Sequence, residues 1–120
     1  MPHLILELSS NLEPLADDML DAVTDACQQT GLFTEAVFMS RAVVHQRYRV
    51  RQHGRSAFVG MTLRIRPGRT PETKEALAQQ LAQVALRIIE SAAEAPATCI
   101  TCEIQEVDLR SRALIFSGEG

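Results

Sequence analysis

Pro2 is the residue with the most chemical potential in this chain. An initiator methionine is routinely removed ahead of a small residue such as proline. Pro2 would then end the chain as a secondary amine. An ordinary α-amino group titrates near ~8, well below lysine. Burial beside Leu4 and nearby positive charge both disfavour the cation and push that value down. Such an amine can act as a general base near neutral pH. Proline at the second position is also common without any such role.

The second chemical feature is a cluster of arginines. No acidic residue lies between Glu35 and Glu72, and that segment holds Arg41, Arg47, Arg49, Arg51, Arg55, Arg64, Arg66 and Arg69, a local charge of +8. The rest of the chain carries -11, which returns the net charge of -3. Arginine outnumbers lysine eleven to one. Its planar fork suits carboxylates and phosphates held in a fixed plane. Arg47, Arg49, Arg51 and Arg55 are equally readable as a solvated strand face. Arg41 and Arg69 are the best placed for an anionic substrate. Arg69 directly precedes a helix start, where backbone amides and the helix dipole favour an anion.

Other chemistries are poorly served. Cys99 and Cys102 have C-x-x-C spacing, but on a strand such residues point to opposite faces and share neither a metal nor a disulfide. His3, His45 and His53 match no ligand spacing, and His3 reads as a strand surface residue. Arg66-Pro67-Gly68-Arg69 is too short for a phosphate-binding glycine loop. No Ser-His-Asp arrangement is legible.

The elements that must position these residues follow a simple order. Residues 2–9 alternate, with Pro2, Leu4, Leu6 and Leu8 on one side of a strand. A helix begins near Asn11–Pro14 and stops at Gly31, with Leu15, Met19, Val23 and Cys27 as its apolar stripe. Residues 37–44 read as a strand, and 45–52 as a further extended stretch. A turn at 53–56 leads to the clearest strand, 57–66, where Val59, Met61, Leu63 and Ile65 alternate. Thr70 is an N-cap with Pro71 behind it, opening a helix to about Ala93. Its buried stripe is expected at Ala76, Leu77, Leu81, Val84, Ala85 and Ile88. A strand at 98–107 and a short terminal one at 113–116 complete the pattern.

This order predicts an α+β fold: two β-α-β units sharing a four-stranded mixed sheet. Right-handed crossovers put both helices on one face. Ile5, Phe58, Cys99 and Thr101 then lie on the bare face, which predicts an oligomer. The chain has 120 residues, 46% of them hydrophobic, which fits one compact domain over residues 1–120. Aromatics are 4% and Trp is absent. RNA-recognition folds share the strand-helix order but stack bases on aromatics, and only Tyr48 and Phe58 are near the right place. Nucleic acid is therefore not an expected partner. No apolar run spans a membrane. Glu7 interrupts the first apolar run with no basic residues ahead of it, so no signal peptide is expected. Three cysteines, an odd number, point to a reducing cytoplasm.

Several short motifs coincide in order with one family. Met1-Pro2-His3 with Glu7, Ser9 and Asn11 resembles the start of the 5-carboxymethyl-2-hydroxymuconate isomerases, of the tautomerase superfamily. Thr30-Gly31-Leu32-Phe33, Ser40-Arg41, Met61-Thr62-Leu63, Gly68-Arg69-Thr70 and Glu103-Ile104 with Glu106 continue the resemblance over nearly the whole chain. The resemblance implies a homotrimer with an amino-terminal proline near subunit interfaces, and neither metal nor organic cofactor. It implies an isomerase of bacterial aromatic catabolism that shifts a proton in an unsaturated oxo-carboxylate. Pro2 would carry the proton, while Arg41 and Arg69 would hold carboxylates or the developing enolate oxygen. The alternative is a non-catalytic trimer of the same fold that binds a small molecule or a partner. The chain departs from the family at Met39, where a basic residue is expected two positions before Arg41. Met39 offers apolar surface and no donor, so the site is expected to lack one cation there and to favour monocarboxylates.

Overall fold

The computed structural model describes residues 2–34 and 37–118. Strand β1 (His3–Ser9) leads through a 3-10 turn (Ser10–Leu15) into helix α1 (Ala16–Gln29). Strands β2 (Met39–His45) and β3 (Ala57–Ile65) follow, then helix α2 (Pro71–Ser91) and strand β4 (Thr98–Glu106). A short 3-10 turn (Leu109–Ser111) lies beyond β4. The sheet order is β2-β1-β3-β4. β1 runs parallel to β2 and antiparallel to β3, and β3 runs parallel to β4. The expected α+β architecture of two β-α-β units is therefore present.

Strand alternation decides which side chains meet the helices. Leu4, Leu6 and Leu8 of β1 are fully buried, as are Val59, Met61, Leu63 and Ile65 of β3 to within 2%. Met19, Val23 and Cys27 of α1 close over them at four-residue spacing, and Leu77, Leu81, Val84, Ala85 and Ile89 of α2 do the same. Ile89, not Ile88, is the buried member, and Ala76 is exposed. The buried face of α2 thus turns by one position near its end. Burial raises the thiol of Cys27 to about 12 and that of Cys102 to about 11, so both are inert packing groups at neutral pH.

Two other expectations change. Residues 46–52 form no strand. Their alternation arises because Tyr48 packs edge-on against Phe58, ring centroids 5.8 Å apart, while Arg47, Arg49 and Arg51 face solvent. Residues 113–116 form no strand among the described residues, and Ile115 and Phe116 are 87% and 67% exposed.

The helix-free sheet face carries Ile5, Phe58, Cys99 and Thr101 as expected, but Glu7, Arg41, Arg64 and Glu103 share it by register. It is mixed, not uniformly apolar. Cys99 lies on this face opposite Phe58, and Cys102 on the other opposite Met61, so the C-x-x-C pair is split by the pleat. No helix among the described residues is long and apolar enough to cross a membrane.

The packing yields a paired prediction. Leu81→Ala empties a fully buried site and should lower unfolding stability by about 2–5 kcal/mol. Ala76→Ser, on the exposed side of α2, should stay within about 0.5 kcal/mol. Urea titration followed by circular dichroism measures both, and a comparable loss for the two would refute this account of the helix face.

Candidate active site

Three chain segments build a cavity at the end of the sheet where β1 begins and β3 ends. Its volume is about 360 Å³, and Pro2, Phe33, Ile65, Arg66, Pro67, Gly68 and Arg69 line it. That size is enough for a small organic acid. The cavity is open on one side to solvent.

Pro2 is fully buried, in phase with Leu4 and Leu6 below it. Its carbonyl accepts a hydrogen bond from the amide of Met39 at 3.1 Å, which ties it to the start of β2. Met1 lies outside the described residues. Phe33 reaches the cavity because α1 ends abruptly before it. Gly31 takes φ +72°, a left-handed value that side chains resist. Thr30 Oγ1 donates to the carbonyl of Cys27 at 2.7 Å and accepts from the amide of Leu32 at 3.1 Å. Phe33 packs edge-on against Phe38, 6.2 Å between centroids.

The β3–α2 turn supplies the cations. Gly68 has φ +123°, open only to glycine at low cost. Its amide donates to Glu106 Oε2 at 3.0 Å, and Lys74 Nζ donates to Glu106 Oε1 at 3.1 Å. The Val107 amide donates to the Ile65 carbonyl at 2.9 Å. The end of β4 therefore clasps the turn from outside. The Lys74 bond, then the Gly68 amide, hold the Glu106 carboxyl below the usual carboxylate range. Arg69 Nη2 donates to the Leu32 carbonyl, joining the α1 terminus to this turn. The helix start itself is partly occupied. Thr70 Oγ1 accepts from the Thr73 amide at 3.1 Å, so the expected anion site in the first turn has already lost one donor to its cap.

The structure joins Pro2 and Arg69 but not Arg41 or Met39. Both of these lie on β2 and face the helix-free side, opposite Ile5 and His3 respectively. Both are exposed, and neither lines the cavity of its own chain. His3 lies opposite Arg64 on that side, with Arg41 near enough to act on it electrostatically. Partial burial and then these two guanidinium groups lower its pKa, so the ring is neutral at physiological pH. Arg66 is the lining residue that sequence reasoning passed over. Its signal in the sequence is the arginine pair, Arg66 and Arg69, around the Pro67-Gly68 turn.

The Ser9 and Asn11 motif proves to be a structural staple. Ser9 Oγ donates to Asn11 Oδ1 at 2.6 Å and accepts from the Phe58 amide at 3.0 Å. Asn11 Nδ2 donates to the Ser56 carbonyl at 3.0 Å. The motif fixes the end of β1 to the start of β3, far from Pro2. Glu7 meets His45 at 3.0 Å on the helix-free face. Among the described residues no cluster of three His, Cys, Asp or Glu side chains could hold a metal ion.

Comparison with known proteins bears on the family and the fold. A family model described as 5-carboxymethyl-2-hydroxymuconate isomerase matches residues 2–113. The fold is similar to a crystal structure of a 5-carboxymethyl-2-hydroxymuconate isomerase from Deinococcus radiodurans R1, with TM-score 0.79 and 23% identity over 97% of this chain and 90% of that one. It is also similar to FG41 malonate semialdehyde decarboxylase inhibited by 3-bromopropiolate, with TM-score 0.69 and 19% identity over 96% and 90%. A fused 4-OT described as a symmetric trimer gives TM-score 0.66 and 18% identity over 93% and 90%. No curated protein sequence gives a significant match.

The clasp carries a pH prediction. Because the Glu106 pKa is lowered on folding, its stabilising effect is full above the unfolded carboxyl value of about 4.5 and is lost as pH falls through the lowered value. Glu106→Gln should flatten the fall of melting temperature below that pH and leave the neutral-pH fold intact. Parallel acid melts of the two proteins with identical slopes would show that the Glu106 clasp contributes nothing.

Proposed function

This chain belongs to the 5-carboxymethyl-2-hydroxymuconate isomerase family and is an isomerase, and on that premise we propose that Pro2 is its general base. The observation that carries the reading is the single cavity shared by a buried Pro2 and the cations of Arg66 and Arg69. Once Met1 is removed, Pro2 exposes a secondary amine to that cavity. Burial and two adjacent guanidinium groups both disfavour its protonation. The free amine then takes a proton from an unsaturated oxo-carboxylate or its enol. As the C–H or O–H bond breaks, its electron pair delocalises toward the carbonyl oxygen or along the conjugated carbons. The prolinium returns the same proton at another carbon, so the reaction is a redox-neutral isomerisation that needs no cofactor.

Arg69 is assigned the substrate carboxylate or the developing enolate oxygen. It has five donor N–H groups, so the bond to Leu32 leaves others for substrate. Arg41 and Met39 reach a site only from a second copy, since both face away from the cavity of their own chain. The mixed helix-free face and the symmetric trimer of the similar fused 4-OT structure support a homotrimer here. In that assembly Arg41 adds a cation to a neighbour's cavity and Met39 an apolar wall. The proposed setting is aromatic catabolism in the cytoplasm, with a small anionic enol as partner and no nucleic acid or membrane.

The decisive experiment joins mass and rate. The mature protein should weigh one methionine less than the encoded chain and should isomerise an enol such as phenylenolpyruvate. Pro2→Ala should lower kcat/KM by about 10²–10⁴-fold, the range of a positioned general base. Full activity in protein that retains Met1 overturns the proline mechanism. Binding without turnover in the processed protein would favour the non-catalytic trimer instead.

Arg69→Ala should lower kcat/KM on anionic substrates by about 10- to 150-fold, the loss of one charge-assisted contact. Unchanged kinetics in a folded Arg69→Ala protein would assign this arginine to the Leu32 carbonyl alone.

A further inference from the structure

We propose that the arginine row of the β2–β3 segment is a docking surface for the aspartate row of α1 in a second copy of the chain. Neither row lines the Pro2 cavity, so the inference stands apart from the isomerase reading. The basic row is Arg47, Arg49 and Arg51. All three are exposed, with Tyr48 and Val50 half-buried between them, and neither bend nor turn interrupts residues 48–51. The Tyr48 ring rests edge-on against Phe58 and leaves its arginine neighbours facing outward. The segment is also tied down. Arg49 Nη1 donates to the Tyr48 carbonyl at 2.8 Å, which leaves its other donors free. The Arg55 amide donates to the Gln52 carbonyl and the Ser56 amide to the Ala97 carbonyl, both at 3.1 Å. A partner that docks here orders little more than side chains, which lowers the entropic cost of the contact.

The acidic row is Asp17, Asp21 and Asp25, spaced four apart on α1 and all exposed. Like charges at that spacing destabilise a helix, and Asp is itself a weak helix former. The helix dipole favours Asp17 in the first turn but gives no such support to Asp21 and Asp25. α1 contains no lysine or arginine to offset them. The arginine row is equally uncompensated in sequence, since no acidic residue lies between Glu35 and Glu72. Among the described residues no ion pair engages either row. Each row thus lacks what the other carries.

The rows also match in pitch. Alternate residues of an extended chain lie about 6.6–7 Å apart, and residues four apart in a helix lie about 6 Å apart. Three charges span about 13 Å in one row and about 12 Å in the other, so they meet in register. One chain does not join its own rows. Phe58 belongs to the helix-free face, so the segment docked on it lies on that side of the sheet, while α1 covers the other. Each copy offers one row of each sign, and the contact is heterologous, running head to tail. A free polyanion would meet the arginines but be repelled by α1. A second copy uses both rows.

The test follows the mass of the full chain by sedimentation velocity over a concentration series. It uses about 0.1 M and about 1 M NaCl, between which the screening length falls from about 10 Å to about 3 Å. The wild type should form a larger species at low salt whose dissociation constant rises at least about tenfold at high salt. The variant Arg47→Glu, Arg49→Glu, Arg51→Glu should lose that species. The variant Asp21→Lys, Asp25→Lys should lose it too; Asp17 is kept because an acid there supports the helix start. All substituted residues are exposed, so both variants should retain the wild-type circular dichroism. Mixing the two separately purified variants should restore the species at low salt, because the reversed segment of one meets the reversed helix of the other. A wild type with the same mass at both salts overturns the proposal, as does a mixture that stays dissociated. An aspartate variant that associates like the wild type also overturns it, and shows the arginine row meeting some other anion.

Discussion

The structure depends on β1 being a central strand. β1 pairs with β2 on one side and β3 on the other, and its Leu4, Leu6 and Leu8 are fully buried beneath the helices. A strand so placed cannot fray without exposing the core on both sides. The residue that begins it inherits that rigidity. Pro2 sits at the end of the most constrained strand, in phase with the buried leucines. Chain termini are ordinarily mobile. Here core packing holds Pro2, the second residue, in a fixed place, which is what the proposed acid–base role requires.

Around that fixed point the other lining groups are held by links between distant segments. The α1 terminus brings Phe33 to the cavity, and the Leu32 carbonyl to Arg69, through a left-handed Gly31 and the Thr30 hydroxyl. The β3–α2 turn brings Arg66 and Arg69. Glu106 joins that turn to the end of β4, and Arg69 joins it to the α1 terminus. Each link contributes little alone, since exposed hydrogen bonds and ion pairs are individually weak. Together they remove freedom from a turn whose backbone is otherwise free to move. The cavity is therefore a product of both β-α-β units, with Pro2 and Phe33 from the first and the arginine turn from the second.

The two sheet faces divide the labour. The helix-covered face supplies stability through contiguous apolar packing. The bare face carries His3, Arg41 and Arg64 close together, with Glu7 and Glu103 further along the same surface. Two arginines beside a neutral histidine need an anion or a partner to offset their mutual repulsion. This arrangement fits the contact with another copy of the chain proposed above, and Arg41 is exposed on β2 between the half-buried Ser40 and Ala42.

Much of the architecture was legible in the sequence because strong local signals agreed. Period-two leucines, the four-residue stripe of α1, the Thr70-Pro71 cap and the glycine stop at Gly31 each have one local physical cause. Those causes reappear in the structure at the same residues. Alternation at Tyr48 and Val50 misled, because docking onto Phe58 imitates the period of a strand without its hydrogen bonds. Residues 113–116 misled for the opposite reason, since apolar residues there have no local partner to bury them. The union of Pro2 with Arg69, the exclusion of Arg41 and Met39 from that cavity, and the presence of Arg66 were tertiary decisions. Strand order and crossover geometry set which end of β1 meets which turn. Spacing along the chain carries no record of those distances.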